Sequence, residues 1–256
     1  MAAPEVIGAD TVRDVTVETW RLTGSRGDEV LADAYVTGEP RAVVIGGHGK
    51  DNRRSAQYLR GPGLQWAGRG VTLVAADAPL HGDRAGERPV PRATMGDPDL
   101  VERWVADQRL VVDAVEERFG SVPLVYLGVS MGAVMGCHLL ARDERLCAGI
   151  LVVGGSTVVS VPERFDDVDD DLQEALRVTD PELPAARISP RPVLMLNADD
   201  DEIFSRRSIL ALYDALGDAR ELVFVPGTHS RWRHPRQWNR RMWEFVQWAV
   251  GEVSSP

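Results

Sequence analysis

The residue of this sequence that is best placed to do chemistry is a serine that lies between two glycines. Ser130 is the centre of Gly128-Val-Ser-Met-Gly132, which separates an apolar, β-rich run from a helix-like apolar run at residues 131–140. Glycines two residues before and after the serine permit a strand-to-helix turn that is too sharp for ordinary side chains. Such a turn lifts the serine hydroxyl clear of the sheet edge, and it points the first free N–H groups of the helix, that of Met131 included, at whatever the serine attacks.

A serine hydroxyl is a poor nucleophile near neutral pH, and it needs a base together with a carboxylate that fixes the tautomer of that base. Two later loops of the chain offer these groups. One apolar, strand-like run is followed by three aspartates at residues 199–201, and the next such run is followed by His229. The three motifs together predict attack of Ser130 on an acyl carbonyl, with His229 as the base.

The order serine, acid, histidine along the chain resembles that of the α/β-hydrolases. The resemblance extends from about residue 12 to residue 250. It is closest to the esterase and dienelactone-hydrolase-like branch, whose members often show segments similar to Asp77-Ala-Pro-Leu-His-Gly-Asp-Arg84 and Ile188-Ser-Pro-Arg-Pro-Val-Leu194. It implies an α/β-hydrolase fold: a mostly parallel sheet of about eight strands with an antiparallel N-terminal strand, helices on both faces and a short cap insertion.

The same resemblance selects the catalytic acid. In related hydrolases the acid often lies three residues after a glycine that ends the strand, and Ala198 occupies that place here, which selects Asp201. Asp200 is the second choice and Asp199 the third. The aspartates that are not used are expected to lie in solvent.

The resemblance also implies an oxyanion hole and a substrate pocket. The loop Gly46-Gly-His-Gly49 is expected to supply a second oxyanion amide, that of Lys50, beside the amide of Met131. Its alternative role is only to turn the chain. His48 and His81 are expected to bind substrate, because both lie in loops that follow predicted strands.

Hydrophobic patterns predict the elements that carry these loops. Asp97 and Pro98 start a long amphipathic helix that Gly120 ends. No clear strand occurs at residues 154–190, which are interpreted as a cap inserted into a single domain of residues 1–256. The remaining predicted elements are a hairpin (12–22 and 29–36), strands at 41–45, 71–75, 148–153, 192–196 and 221–225, and helices at 54–69, 205–216 and after Pro235.

Several other functions are disfavoured by the sequence. The glycine-rich loop after the third strand fails the dinucleotide fingerprint at Asn52, and it fails the phosphate-loop pattern at Val44 and Asp51. A basic and aromatic strip at residues 231–243 resembles a nucleic-acid-binding segment, but the net charge of -10 opposes that role. We therefore expect its tryptophans to pack in the core and its arginines to lie at the surface. Neither a metal ion nor a cofactor is expected.

The location of the protein is predicted from what the sequence does not contain. No run approaches the ~18 apolar residues of a membrane span, and the first residues do not resemble a secretory signal. Cys137 and Cys147 are too few for a disulfide framework, which favours a reduced, cytoplasmic protein. Arg53, Arg54 and Arg84 are expected to be solvated surface charges, and their alternative role is to bind an anionic substrate.

The predicted function is hydrolysis of small or medium carboxylic esters through an acyl-serine intermediate, without a nucleic-acid or membrane partner. Two alternatives stay open: a peptidase or thioesterase on the same scaffold, and a catalytically silent ligand-binding protein that keeps the fold. The acyl and alcohol groups of the substrate and the oligomeric state do not follow from the sequence.

Overall fold

A computed structural model describes residues 3–85 and 97–251 of the chain. These residues form one nine-stranded sheet. Its strands are β1 (Glu5–Val12), β2 (Val15–Thr23), β3 (Glu29–Val36), β4 (Ala42–Gly47), β5 (Val71–Ala76), β6 (Leu124–Val129), β7 (Leu146–Val152), β8 (Val193–Ala198) and β9 (Arg220–Val225). The order across the sheet is β1-β2-β3-β5-β4-β6-β7-β8-β9.

Strands β4 to β9 are all parallel to one another. Strands β1, β2 and β3 pair antiparallel, and β3 joins the parallel part of the sheet by antiparallel pairing with β5. Strands β4, β5, β6 and β8 are buried along their whole length, as their continuous apolar sequences predict. Because parallel strands end at the same edge of a sheet, the loops after β4, β6, β8 and β9 meet there.

Eight α-helices of the described residues surround the sheet. They are α1 (Gln57–Ala67), α2 (Pro98–Phe119), α3 (Met131–Leu140), α4 (Thr157–Arg164), α5 (Asp170–Thr179), α6 (Glu182–Ala185), α7 (Arg206–Ala215) and α8 (Pro235–Ala249). One core cluster joins one face of the sheet to α2, α3 and α7, and a second cluster joins the other face to α1 and α8. The prediction of a mostly parallel sheet with helices on both faces is therefore confirmed. No described helix has both the length and the apolar composition to cross a bilayer.

The N-terminal region differs from the predicted two-stranded hairpin. It contains three strands, because residues 5–12 form the edge strand β1 and pair with β2. The turn between them has Arg13 and Asp14 at positive φ (50° and 66°), where Asn-Gly or Asp-Gly would be the usual signal. Almost every residue of β1 is exposed, so the strand has no buried face. Its sequence therefore lacks the alternation of apolar and polar residues from which a strand is predicted.

The boundaries of α2 follow the predicted signals. The Asp97 side chain accepts a hydrogen bond from the Asp99 amide at 2.9 Å, and Gly120 ends the helix at φ 74°. These are the cap and stop positions that the sequence indicated.

The segment between β7 and β8 contains α4, α5 and α6 and is fixed to the body of the protein. His138 of α3 donates a hydrogen bond from Nε2 to the Thr179 carbonyl at 2.9 Å, which connects the segment to the body. Within the segment, the buried carboxylate of Asp180 accepts hydrogen bonds from the Ser156 hydroxyl, the Thr157 hydroxyl and the Val158 amide at 2.7–3.1 Å. The interpretation of residues 154–190 as a cap stays a prediction.

Arg54 and Arg84 are not solvated, contrary to the sequence-based expectation. The Arg54 side chain is 14% exposed and forms ion pairs with Asp33, Asp77 and Asp83. Arg84 is 8% exposed and pairs with two further aspartates, Asp28 and Asp107. Because an unpaired buried charge is expensive, these arginines and aspartates fix one another and hold the loop after β5. Arg53 is exposed, as expected.

Candidate active site

Ser130 occupies the sharp turn between β6 and α3. Its backbone lies at φ 54° and ψ -114°, a conformation that an L-residue adopts only under strain. A Cβ atom on Gly128 would lie less than 3 Å from the Gly132 carbonyl, and one on Gly132 would lie equally close to the Gly47 carbonyl. The two glycines are therefore required by close backbone contacts, and the turn presents the Ser130 side chain at the sheet edge.

Three side chains from three loops form a continuous hydrogen-bonded chain at this edge. His229 Nε2 lies 2.9 Å from Ser130 Oγ. On its other side, His229 Nδ1 lies 3.1 Å and 3.0 Å from the two carboxylate oxygens of Asp201. The Asp201 side chain is 1% exposed, and its Oδ1 also accepts the Ile203 and Phe204 amides at 2.8 Å and 2.9 Å. This arrangement can remove the proton of the Ser130 hydroxyl and hold the resulting imidazolium.

The other acidic side chains of the loop after β8 have different positions. Asp199 accepts the Gly227 amide at 3.0 Å and so ties the two loops together. Glu202 accepts the His229 backbone amide at 2.8 Å. Asp200 is 63% exposed and lies 3.5 Å from Arg233. Of the three candidate acids only Asp201 contacts the imidazole, and Asp199 has a structural contact that the sequence did not predict.

The two amides expected to form the oxyanion hole both border the cavity in front of Ser130. Neither the Met131 nor the Lys50 N–H donates a hydrogen bond to a described residue. The loop that carries Lys50 lies against the serine, since a Cβ on Gly49 would be 3.5 Å from Ser130 Cβ. Both N–H groups are therefore free to stabilise a developing oxyanion, and their role stays a prediction.

Tyr58 was not among the residues singled out from the sequence. Its hydroxyl accepts the Gly49 amide at 2.8 Å, and its ring borders the same cavity. Burial raises the pKa of the Tyr58 hydroxyl, so the group stays protonated at neutral pH. The contact fixes the residue before Lys50. No local pattern indicates it, because Tyr58 lies one helix away from the loop.

His48 and His81 lie side by side, with ring centroids 5.5 Å apart, but only His81 borders the cavity. His48 Nδ1 donates to the Gly49 carbonyl at 2.8 Å and its Nε2 accepts the Ala78 amide at 3.0 Å. Burial lowers the pKa of His48 to about 4, which keeps the ring neutral. His48 therefore connects two loops behind the cavity wall, and its contact with substrate stays a prediction.

His81 is 2% exposed and its Nδ1 donates to the Pro79 carbonyl at 2.8 Å. Its Nε2 is buried without a partner among the described residues. His81 is therefore a wall residue of the cavity, and its contact with substrate stays a prediction. The same described part of the chain contains no group of three His, Cys, Asp or Glu side chains arranged to hold a metal ion.

The cavity in front of Ser130 has a volume of about 1510 Å³. It extends from the sheet edge between α1, α4 and α8, and its wall contains both apolar and polar side chains. Six charged side chains border it. One is acidic, Asp51, and five are basic: Lys50, Arg69, Arg164, Arg236 and Arg240.

Three tryptophans of the predicted basic and aromatic strip pack against other aromatic rings. Trp232 stacks on Trp238, and Trp243 contacts Trp66.

The fold is similar to that of several solved esterases. An esterase from an Arctic intertidal metagenomic library is 24% identical, with a TM-score of 0.75 over 96% of this chain and 99% of that one. The Pyrococcus furiosus esterase Pf2001 is 19% identical, with a TM-score of 0.74 over 98% and 100% of the two chains. Acetyl xylan esterase 1 from Thermoanaerobacterium is 16% identical, with a TM-score of 0.76 over 98% and 87%.

Sequence comparison identifies the family. No curated protein sequence matches the chain. Residues 38–191, more than half of the chain, match the family model described as serine aminopeptidase, S33. The matched segment includes the serine turn between β6 and α3 and the glycine-rich loop after β4. The chain therefore belongs to the S33 family of α/β-hydrolases.

Proposed function

We propose that this protein is a serine hydrolase that cleaves small or medium carboxylic esters through an acyl-serine intermediate. The observation that carries the proposal is the hydrogen-bonded chain from Ser130 through His229 to the buried Asp201, at the floor of an accessible cavity. The esterases of similar fold are consistent with this chemistry.

In the first half-reaction, Ser130 Oγ attacks the ester carbonyl carbon while its proton passes to His229 Nε2. Asp201 holds the other ring nitrogen and stabilises the imidazolium that forms. The amides of Met131 and Lys50 donate hydrogen bonds to the oxyanion. When the tetrahedral intermediate collapses, His229 gives its proton to the departing alcohol oxygen and the acyl group remains on Ser130.

In the second half-reaction, water takes the place of the alcohol. His229 Nε2 removes a proton from the water as its oxygen attacks the acyl carbon. The same two amides bind the second oxyanion, and collapse returns the proton to Ser130 Oγ. The acid is released and the enzyme is restored, so no cofactor is consumed.

The charges of the cavity favour an ester over an N-terminal peptide as the substrate. An aminopeptidase must accommodate the α-ammonium group of its substrate, which a carboxylate in the pocket would stabilise. Asp51 is the only acidic side chain among the described residues of the wall, and Lys50 already pairs with it at 2.7 Å. The remaining charges of the wall would repel an ammonium group.

A substrate panel tests this function. We expect hydrolysis of 4-nitrophenyl butyrate, and much weaker activity on the matched thioester and on aminoacyl 4-nitroanilides. Ser130→Ala should lower kcat by ~10⁴ or more. Ser121→Ala removes an exposed serine from another loop and should leave kcat unchanged. Equal ester hydrolysis by wild type and Ser130→Ala would refute the proposal, and preference for the anilides would indicate a peptidase.

The proposal also includes a cytoplasmic location, a single domain with a cap at residues 154–190, and action without nucleic acid or membrane. Both cysteines are free thiols, with Cys137 buried and Cys147 half-buried, which agrees with a reducing compartment. Cell fractionation tests the location, and the predicted result is recovery of the protein with the cytoplasmic fraction.

A further inference from the structure

The charge of the cavity wall is opposite to the charge of the protein. The chain has 39 acidic and 29 basic residues and a net charge of -10. The described wall nevertheless has five basic side chains and only one acidic side chain. They come from the loop after β4, the turn after α1, the end of α4 and one face of α8. Basic groups from four separate elements thus converge on one space.

Three of the five basic groups have no carboxylate partner among the described residues. Lys50 pairs with Asp51, and Arg240 pairs with Glu244 at 2.7 Å. Arg69, Arg164 and Arg236 form no such pair, whereas most arginines elsewhere in the structure do. These three guanidinium groups are therefore available to bind an anion.

Two of the three are also held in place by aromatic rings. The Arg69 guanidinium lies 5.0 Å from the centre of the Trp243 ring, and that of Arg164 lies 5.0 Å from the centre of the Phe165 ring. Stacking on a ring leaves the N–H groups at the guanidinium edge free to donate. A guanidinium presented in this way matches the two oxygens of a carboxylate.

The three arginines are exposed and lie at the rim of the cavity. Tyr58 marks the inner end, because its hydroxyl contacts Gly49 beside Ser130. Arg69 follows eleven residues later, about 16 Å along the axis of α1 and its last turn. An anionic group can therefore be bound at a distance from the scissile carbonyl, and a substrate chain of several carbons together with the extended side chain of Arg69 would span most of that distance.

We infer that the natural substrates are esters that carry a carboxylate, and that Arg69, Arg164 and Arg236 select them. This inference rests on the proposed esterase function and names its substrate class. The long-range field of a protein with a net charge of -10 disfavours an anion, so a preference for anions must come from the local charges of the cavity. The expected preference is about tenfold in kcat/KM at low ionic strength.

The test compares esters of matched chain length or ring substitution, one with a carboxylate and one without. On the acyl side, mono-4-nitrophenyl adipate and suberate are paired with 4-nitrophenyl hexanoate and octanoate. On the alcohol side, 3-carboxyphenyl hexanoate is paired with 3-carbamoylphenyl hexanoate. We expect the anionic member to have the higher kcat/KM on at least one side. The difference should shrink in about 0.5 M NaCl, where charges are screened within a few ångströms.

Three variants locate the effect. Arg69→Gln, Arg164→Gln and Arg236→Gln should each lower the ratio of kcat/KM for the anionic ester to kcat/KM for the neutral ester about threefold. Arg13→Gln removes the same charge at the exposed β1–β2 turn and should leave this ratio unchanged.

The outcomes separate the two proposals. Loss of all ester hydrolysis, or its persistence in Ser130→Ala, would refute the esterase function itself. Hydrolysis that depends on Ser130 but is equal or faster for the neutral esters on both sides would overturn only the anionic substrate class. A preference that survives in all three arginine variants would also overturn it.

Discussion

Replacing Asp201 by asparagine is the most informative single change at the candidate active site. Asp201 Oδ1 accepts the amides of Ile203 and Phe204 at 2.8 Å and 2.9 Å, and these two donors require an oxygen at that position. In Asp201→Asn the amide NH2 group must therefore face His229 Nδ1. Two donors cannot face each other, so the imidazole takes the tautomer with its proton on Nε2, which points at Ser130 Oγ.

The size of the effect follows from this tautomer. A ring that carries its proton on Nε2 cannot accept the proton of Ser130, and the variant keeps only the acceleration from binding and the oxyanion amides. We expect kcat to fall by ~10³–10⁴, which corresponds to about 4–5.5 kcal/mol of the activation barrier. KM should change little, because the Asp201 side chain is 1% exposed and does not reach the cavity.

The assay is steady-state hydrolysis of 4-nitrophenyl butyrate, with thermal unfolding as a check that the variant is folded. Asp200→Asn is the matched control, since its side chain is 63% exposed, and kcat should stay within about twofold of wild type. Asp199→Asn keeps an oxygen for the Gly227 amide and should also be mild. A kcat for Asp201→Asn within tenfold of wild type, or a larger loss in Asp200→Asn, would refute the reasoning.

Three further changes test other parts of the structure. Tyr58→Phe leaves the Gly49 amide without its acceptor, and we expect a loss of about 1 kcal/mol in unfolding free energy and a lower kcat. Equal kcat for the wild type and Tyr58→Phe would show that the hydrogen bond from Gly49 to Tyr58 does not position the loop that carries Lys50. Gly128→Ala places a Cβ against the Gly132 carbonyl, and urea unfolding should show a loss of about 2 kcal/mol or more. An unchanged midpoint would contradict this. Burial lowers the pKa of His48 to about 4. The stability that the neutral His48 ring contributes to the folded protein is therefore complete above pH 6.5 and is lost as the pH falls toward 4. The unfolding free energy of His48→Gln should therefore differ between pH 7 and pH 4.5 by about 2–3 kcal/mol less than that of the wild type. The same pH difference in both proteins would refute the view that His48 is buried as a neutral ring.

The central part of the fold could be predicted because local chemistry and burial agree there. The strands that are buried on both faces read as continuous apolar runs, and the turn at Ser130 is marked by the two glycines that its backbone contacts require. The sequence also placed Ser130 and His229 in loops that meet, because both loops follow parallel strands. Asp201 was selected over Asp199 and Asp200 only by the family resemblance.

Other features depend on contacts between distant segments and left no local signal. Strand β1 has no buried face, so its residues show no period. Arg54 and Arg84 resemble ordinary surface arginines in the sequence, but the aspartates with which they pair lie up to 56 residues away along the chain. The acceptor role of Tyr58 and the convergence of basic groups on the cavity are likewise properties of the assembled helices.

Labelling with a fluorophosphonate probe tests the central claim most directly, because the probe reacts with an activated serine whatever the natural substrate is. Intact mass and peptide mapping should show one adduct per chain, located on Ser130, with no adduct on Ser130→Ala and strongly slowed labelling of His229→Ala. An adduct on another residue, or a folded wild-type protein that is not labelled, would contradict the assignment of Ser130 as the nucleophile.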